Sequence, residues 1–291
     1  MNIPLVSTSG LATILSVFLS FSLIVLHCRY YSVPTEQKYI IIIILMAPIF
    51  AVNCWVGLFL VNEEDAIGYH LPEWVDMALD SIKECYEAVV IWAFLRLMFS
   101  YMNISDVKHI PDKLEGKHIH HSMPFKYFMS DIELNTESVA KLESWALQFV
   151  LLRPILSILT LVLELSGSYD KLWAWLPITI VLNISLTVAM YALMLFYHAF
   201  EQELSLGKQR PLAKFLSIKG VVAFAFWQGI MIKLLLAFGL ISVGKFCSAA
   251  EQKTVYQDFL VCMEMGLLFS PLQFYAFTHS TYKEKNKQKS E

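Results

Sequence analysis

Seven runs of apolar positions along the chain, at approximately 9–28, 39–61, 76–102, 144–165, 172–198, 213–242 and 255–279, are each long enough to cross a bilayer. At 1.5 Å per helical residue, about 20 residues cover roughly 30 Å of hydrocarbon. Ser166-Gly167-Ser168 separates the fourth run from the fifth, and Gln209-Arg210-Pro211 announces the sixth. The sixth is the longest and is expected to tilt or to extend beyond the bilayer. The pattern contains no internal repeat and no low-complexity tract apart from a basic tail. The predicted fold class is therefore all-α: a polytopic membrane protein with seven transmembrane helices over 1–281 and a short basic cytosolic tail over 282–291.

Composition supports the bilayer as the solvent. Of 291 residues, 57% are hydrophobic and only 16% are charged, whereas a soluble domain is roughly one quarter charged. A net charge of −3 suggests no nucleic acid partner. The first run follows a neutral N-terminus without a basic region, so it reads as an anchor that stays rather than a cleaved signal peptide. Five cysteines (Cys28, Cys54, Cys85, Cys247, Cys262) show no CxxC spacing. Most lie in apolar runs, where Cys behaves as a small hydrophobe. Cys28, at a membrane edge, is open to acylation, but burial is the expectation.

Lys and Arg in the connections set the orientation. One side carries thirteen: Arg29 and Lys38, the five lysines of the 103–143 connection, Lys208 and Arg210, and the four lysines of the tail. The other side carries three, Lys171, Lys245 and Lys253. This asymmetry places the N-terminus outside or lumenal and the C-terminus in the cytosol, which requires an odd number of spans. Of the two N-x-S/T sequons, Asn103-Ile-Ser105 then falls on the cytosolic side and Asn183-Ile-Ser185 inside a span, so both should stay unmodified. In the same long connection His118, His120 and His121 lack a second ligand cluster and read as a solvated loop rather than zinc ligands. Met123, Phe125, Tyr127, Phe128 and Met129 read as a membrane-surface segment, with Lys126 toward the headgroups.

The candidate functional residues are charges and amides written into the spans. In the third span, Glu84 and Glu87 lie about 10–15 Å below the outer surface and share a helix face. Lys83 is shallower and is expected to snorkel outward, and Arg96 to snorkel at the cytosolic edge. Arg153, followed by Pro154, lies about 12 Å into the fourth span, and Lys219 about 9 Å into the sixth. Glu264 is near mid-depth in the seventh, while Lys233 and Asp258 are expected near the outer surface. Asn53, Trp227 and Gln228 add polar groups at depth. An ionised group at the bilayer centre costs at least ~2.5–3.5 kcal/mol, so these charges need partners or a wet cavity. The expected pairs are Arg153 with Glu84 or Glu87, and Lys219 with Glu264. Such pairs serve either helix packing or a polar cavity that a solute enters.

Several stretches resemble the organic solute transporter alpha family, which also contains the proteins called transmembrane protein 184. They are YYSVPTEQKYIIIIILMAPIFAVNCWVGL (30–58), IKECYEAVVIWAFLRLMFSYM (82–102), LLRPILSI (151–158), FYHAFEQELSLGKQRPLAKFLSIKGVVAFAFWQGI (196–230) and YQDFLVCMEMGLLFSPLQFYAF (256–277). The matched positions include Pro34, Gln37, Glu87, Arg153, Lys219, Trp227, Gln228 and Glu264. The resemblance implies seven helices with an external N-terminus and, in the transporter branch of the family, facilitated movement of steroid-like and other amphipathic organic anions. It also implies a vacuolar, lysosomal, endosomal or plasma membrane, with a single-span beta subunit or a homo-oligomer left open. Two features depart from it. The 103–143 connection lacks the cysteine-rich cluster of the animal transporter subunits, and the tail after Thr281 is short. A sorting or adaptor role encoded in a long tail is correspondingly less expected.

Two functions compete. A transporter needs apolar walls and a few cations, and Trp92, Phe94, Trp173, Trp175, Phe226 and Trp227 are candidate wall aromatics, with Arg153 and Lys219 as anion partners. A vacuolar or endosomal scaffold would bind cytosolic proteins through the 103–143 connection and the basic tail, although the tail alone suits anionic lipid headgroups. A retinal protein needs a Schiff-base lysine in its last span, and residues 255–279 contain none. His198 and His279 sit at span ends, and no span carries the ligand pattern of an intramembrane metal hydrolase. No enzyme, cofactor or metal is expected.

Overall fold

The computed structural model describes residues 3–67, 73–101, 118–119, 132–133, 135–169, 171–206, 211–238, 240, 249–280 and 282. Asn103, His120, His121, the 123–129 segment, Cys247 and the tail lysines lie outside the described residues, as do the side chains of Phe226 and Lys233. The helices are α1 (Ile3–Arg29), α2 (Pro34–Ile44), α3 (Met46–Ile67), α4 (Glu73–Tyr101), α5 (Thr136–Leu165), α6 (Leu172–Leu206), α7 (Pro211–Ala237), α8 (Ala249–Glu264) and α9 (Ser270–Ala276). A π turn, Met265–Phe269, joins α8 to α9, and a two-residue antiparallel pair, β1 (His118–Ile119) and β2 (Ile132–Glu133), precedes α5.

Five stretches are long and apolar enough to cross a membrane: Pro4–Arg29, Pro34–Val61, Thr136–Leu165, Leu172–Tyr197 and Gln252–Ala276. They correspond to the first, second, fourth, fifth and seventh expected spans. The third expected span is one unbroken helix, α4, but every 18-residue stretch of it holds at least three Asp, Glu, Lys or Arg. In α7 the apolar stretch runs only over Trp227–Leu236 among the described residues.

Local chemistry explains the ends and breaks. The second span is interrupted at Leu45, three residues before Pro48, which has no N–H for the carbonyl of Ile44 and crowds it with its ring. Asn135 caps α5, accepting from Ser138 N at 2.8 Å, as an Asx side chain at this position does. At the other end Gly167 takes φ +64°. Its N–H reaches Glu164 O at 2.8 Å, and Ser168 N reaches Leu163 O at 2.9 Å. This is a Schellman termination, and a residue without Cβ adopts it at no steric cost.

The chain divides into two compact units. The first is Met1–Ser32, Ile44–Lys83 and Leu212–Glu291, and the second is Val33–Ile43 and Glu84–Pro211. In the first, α1 packs on α3, α8, the π turn and α9. Its buried positions Ser9, Ala12, Thr13, Ser16, Ser20, Leu23 and His27 recur every three or four residues and are mostly small or polar, while Leu11, Ile14, Phe18, Phe21 and Val25 are exposed. That inversion suits a helix surrounded by lipid, where small residues and hydrogen bonds join helices. Ser16 Oγ meets Ser270 Oγ at 2.8 Å, Thr13 Oγ1 donates to Ala51 O at 3.3 Å, and His27 Nε2 donates to Phe277 O at 2.8 Å. Gly266 lies so close to Ala12 that a Cβ would overlap the Ala12 carbonyl.

In the second unit α5 packs along α6. Ala88 and Ile91 of α4 pack with Phe149 and Ala189. Phe99 and Phe196 meet edge to face at 4.9 Å, and Tyr39 meets Trp92 in the same way at 5.8 Å. The outward faces again carry the large apolar side chains, among them Leu151, Ile155, Ile158 and Val162 of α5.

Candidate functional site

The polar groups of the second unit gather where α4 crosses α5. Arg153 forms an ion pair with Glu84, one of the two partners that its depth suggested. The two ends of the pair differ in exposure: the Arg153 side chain is 12% exposed and that of Glu84 47%. On α5, Arg153 stands opposite the exposed stripe of Leu151, Ile155, Ile158 and Val162, because residues two apart on a helix point to opposite sides. One residue after Glu84, Cys85 Sγ approaches Ser157 Oγ at 3.8 Å. Gln148 Nε2 donates to Ser185 O at 3.1 Å, tying α5 to α6. Glu87, one turn beyond Glu84, makes no hydrogen bond or ion pair among the described residues. Further along α4, Arg96 Nη1 lies 2.9 Å from Glu143 Oε1. Arg96 was expected only to snorkel; it is instead held by an acid on α5.

The first unit holds a second cluster. Lys83 does not snorkel. Its ammonium lies 2.7 Å from Asp80 and 3.6 Å from Asp258, with Cys54 Sγ also at 3.6 Å. Asp258 is buried. Its carboxylate reaches α3 at Gly57, where a Cβ would stand 3.0 Å from Oδ2. Asn53, one turn before Gly57, donates to Leu79 O at 2.9 Å, and its buried Oδ1 has no partner among the described residues. The i, i+3 spacing of Asp80 and Lys83 could have revealed half of this cluster. Nothing in the sequence marked Asp258 as its third member.

The expected Lys219–Glu264 pair does not form. Gln228 donates its Nε2 to Glu264 Oε1, while Lys219 Nζ lies 5.3 Å over the Phe215 ring. Gln228 lies nine residues after Lys219 on α7, about 13.5 Å further along the axis, so Glu264 meets α7 at a different height from Lys219. Among the candidate wall aromatics, Phe94 is fully buried and Trp92 packs on Tyr39, whereas Trp173 and Trp227 are exposed, a common place for tryptophan at membrane interfaces. Cys28, expected buried, is exposed near the end of α1. No group of three or more His, Cys, Asp or Glu among the described residues could hold a metal ion. What the arrangement offers chemically is a largely buried guanidinium paired with a more exposed carboxylate, and a lysine shared by two carboxylates.

These positions fall within a recognisable sequence frame. A family model described as organic solute transporter Ostalpha matches residues 5–282. The chain is 31% identical over 300 residues to Protein LAZ1 homolog 1 of Arabidopsis thaliana, covering 96% of this chain and 58% of that protein. It is 31% identical over 273 residues to a transmembrane protein 184 homolog of Dictyostelium discoideum, covering 92% and 51%. The chain thus spans just over half the length of these curated relatives. No solved structure matches it. Helices that turn large apolar side chains outward and bury their charges against one another, on a chain matched from end to end, make this an integral membrane protein that belongs to the organic solute transporter alpha family, with the LAZ1 and transmembrane protein 184 homologs.

Proposed function

We propose that this protein is a facilitator that moves amphipathic organic anions or steroid-like solutes down their gradient across a vacuolar, endosomal or plasma membrane. The observation that carries the reading is the guanidinium of Arg153, largely buried, the single charge in the stretch 145–163 of α5, and matched to a carboxylate on α4. A permanent cation inside a span is costly, and an anionic solute is the ligand class that a buried arginine serves. Family membership supports a transporter-like role.

The same reading holds the chain as seven spans with the N-terminus outside or lumenal and the C-terminus cytosolic. Support comes from the thirteen-to-three asymmetry of Lys and Arg between the two sides. In this arrangement α4 and α7 are the two further spans, and the ion pairs of α4 offset the cost of its charges. Asn53, Glu84, Glu87, Arg153, Lys219, Trp227, Gln228 and Glu264 are the polar and aromatic positions proposed to serve the solute or to hold the helices that surround it. Membrane lipids, and a single-span beta subunit or a second copy of the chain, are the proposed partners.

The competing scaffold role would use the 103–143 connection and the tail, which lie almost wholly outside the described residues. The deciding experiment is flux of taurocholate or a steroid sulfate into liposomes containing the purified protein. Uptake that depends on the protein and equilibrates without an energy source supports the proposal. Absence of flux, with and without a candidate beta subunit, rejects it.

A further inference from the structure

Resting on the transport reading, we propose that Glu84 is a built-in counter-anion that occupies Arg153 in the empty protein and is displaced by the anionic head of the solute. The charge on a guanidinium is permanent at any physiological pH, so Arg153 requires an anion in every state that keeps it away from water. In the described state that anion is Glu84. The two partners are not equally fixed. Arg153 is nearly enclosed at 12% exposure, whereas Glu84 is open at 47%, so the carboxylate can turn away while the cation keeps its place.

Arg153 sits in a stretch of α5 that is tied to its neighbours on both sides. Pro154 follows it directly and locks its own φ. Gln148 and Ser157, on the turns before and after, are bonded to α6 and α4. Exchange of one oxyanion for another leaves the guanidinium compensated throughout and avoids the cost of a bare charge in the membrane. A carboxylate, sulfonate or sulfate presents the same oxygen fork that Glu84 offers. The site therefore discriminates by the charged head, and an uncharged steroid gains nothing from it. Glu84 also keeps the protein from holding its solute too tightly, since the bound head must outcompete a tethered acid.

Binding of taurocholate to the full-length protein in lipid nanodiscs tests this, with the uncharged alcohol of the same ring system as the second probe. Glu84→Gln removes the competitor and is expected to tighten taurocholate binding by about tenfold, the scale of one hydrogen bond to a charged group. The double variant Arg153→Met/Glu84→Leu removes both charges, so neither is left stranded, and it is expected to lose taurocholate binding by about tenfold or more. Binding of the alcohol should change in neither variant. Glu143→Gln, which loosens a separate ion pair of the same unit, should leave taurocholate binding as in the wild type. If Glu84→Gln does not fold, Arg153→Lys supplies the readout, because it keeps the charge, loses the fork and should weaken only the anion. Unchanged or weaker taurocholate binding in Glu84→Gln, or wild-type binding in the double variant, overturns the exchange. A wild type that moves taurocholate while the double variant moves it equally well sinks this inference alone, and a wild type that neither binds nor moves it sinks the transport reading as well.

Discussion

The ammonium of Lys83 lies 3.6 Å from the carboxylate of Asp258, so the first turns of α4 are tied to α8 by an ion pair with both side chains largely buried. Asp80 is the third member, closer at 2.7 Å but mostly exposed. The two acids are therefore unequal: Asp80 has water to fall back on, and Asp258 has only Lys83 among the described cations.

That inequality predicts the ranking of single substitutions. Lys83→Met strands a buried carboxylate and should destabilise the protein on the order of 3 kcal/mol, the cost of breaking one side of a buried pair. Asp258→Asn should cost less, since Lys83 keeps Asp80. Lys83→Met combined with Asp258→Leu should recover most of the loss. The midpoint of heat-induced aggregation in mild detergent, followed by size-exclusion chromatography, reads all three. A double variant worse than Lys83→Met would show that the pair does not act as a unit.

Gly266 predicts a steric effect. A Cβ at this position would run into the carbonyl of Ala12, which is backbone and moves only with the whole of α1. Gly266→Val should push the π turn off α1 and cost about 1–3 kcal/mol, as overpacking does. Gly167→Ala should cost less despite the positive φ, because nothing stands within 4 Å of its missing Cβ. Thermal melting of the two variants side by side gives the comparison, and equal losses would refute the role given to the Gly266 contact.

The two glycines also show what can be read from sequence. Ser166-Gly167-Ser168 announces a helix end from local chemistry, and the structure ends α5 there. Gly266 gives no such signal, because its reason lies on another helix. The same division holds for the charges. Arg153 and Glu84 could be matched because both had to hide and lay at similar depth. Asp258 went unmatched because the other members of its cluster, Lys83 and Asp80, lie on another helix, which no spacing within α8 reveals. Glu264 was matched to the wrong residue of α7 because depth counted from span ends is coarse: its partner Gln228 stands nine residues from Lys219, about 13.5 Å along the helix. Seven runs were read as spans; five meet length and apolarity in the structure, and α4, although one unbroken helix, does not because of its own charges.

Orientation predicts a pattern of glycosylation. In cells, the native sequon at Asn103 should stay unmodified, and an Asn-X-Thr sequon introduced into the 241–248 connection should acquire a glycan. Both follow from the Lys and Arg asymmetry between the two sides. A mobility shift that is reversed by glycosidase is the measurement. A glycan at Asn103 would invert the assigned orientation of the third and fourth spans.

Arg96 and Glu143 give a prediction of smaller size and opposite character. Their contact is 2.9 Å, with side chains 32% and 21% exposed, and it joins the last turns of α4 to the first turns of α5. Partial exposure screens the pair, so Glu143→Gln should cost only about 0.5–1 kcal/mol. Salt should weaken what remains of the attraction, since the pair is near enough to water for counterions to reach it. The difference in melting midpoint between wild type and Glu143→Gln should therefore shrink as NaCl rises from low to molar concentration. For Lys83→Met the corresponding difference should hardly change, because its partner Asp258 is shielded. A salt response of the same size in both variants would mean that the two pairs share one environment, contrary to their exposures.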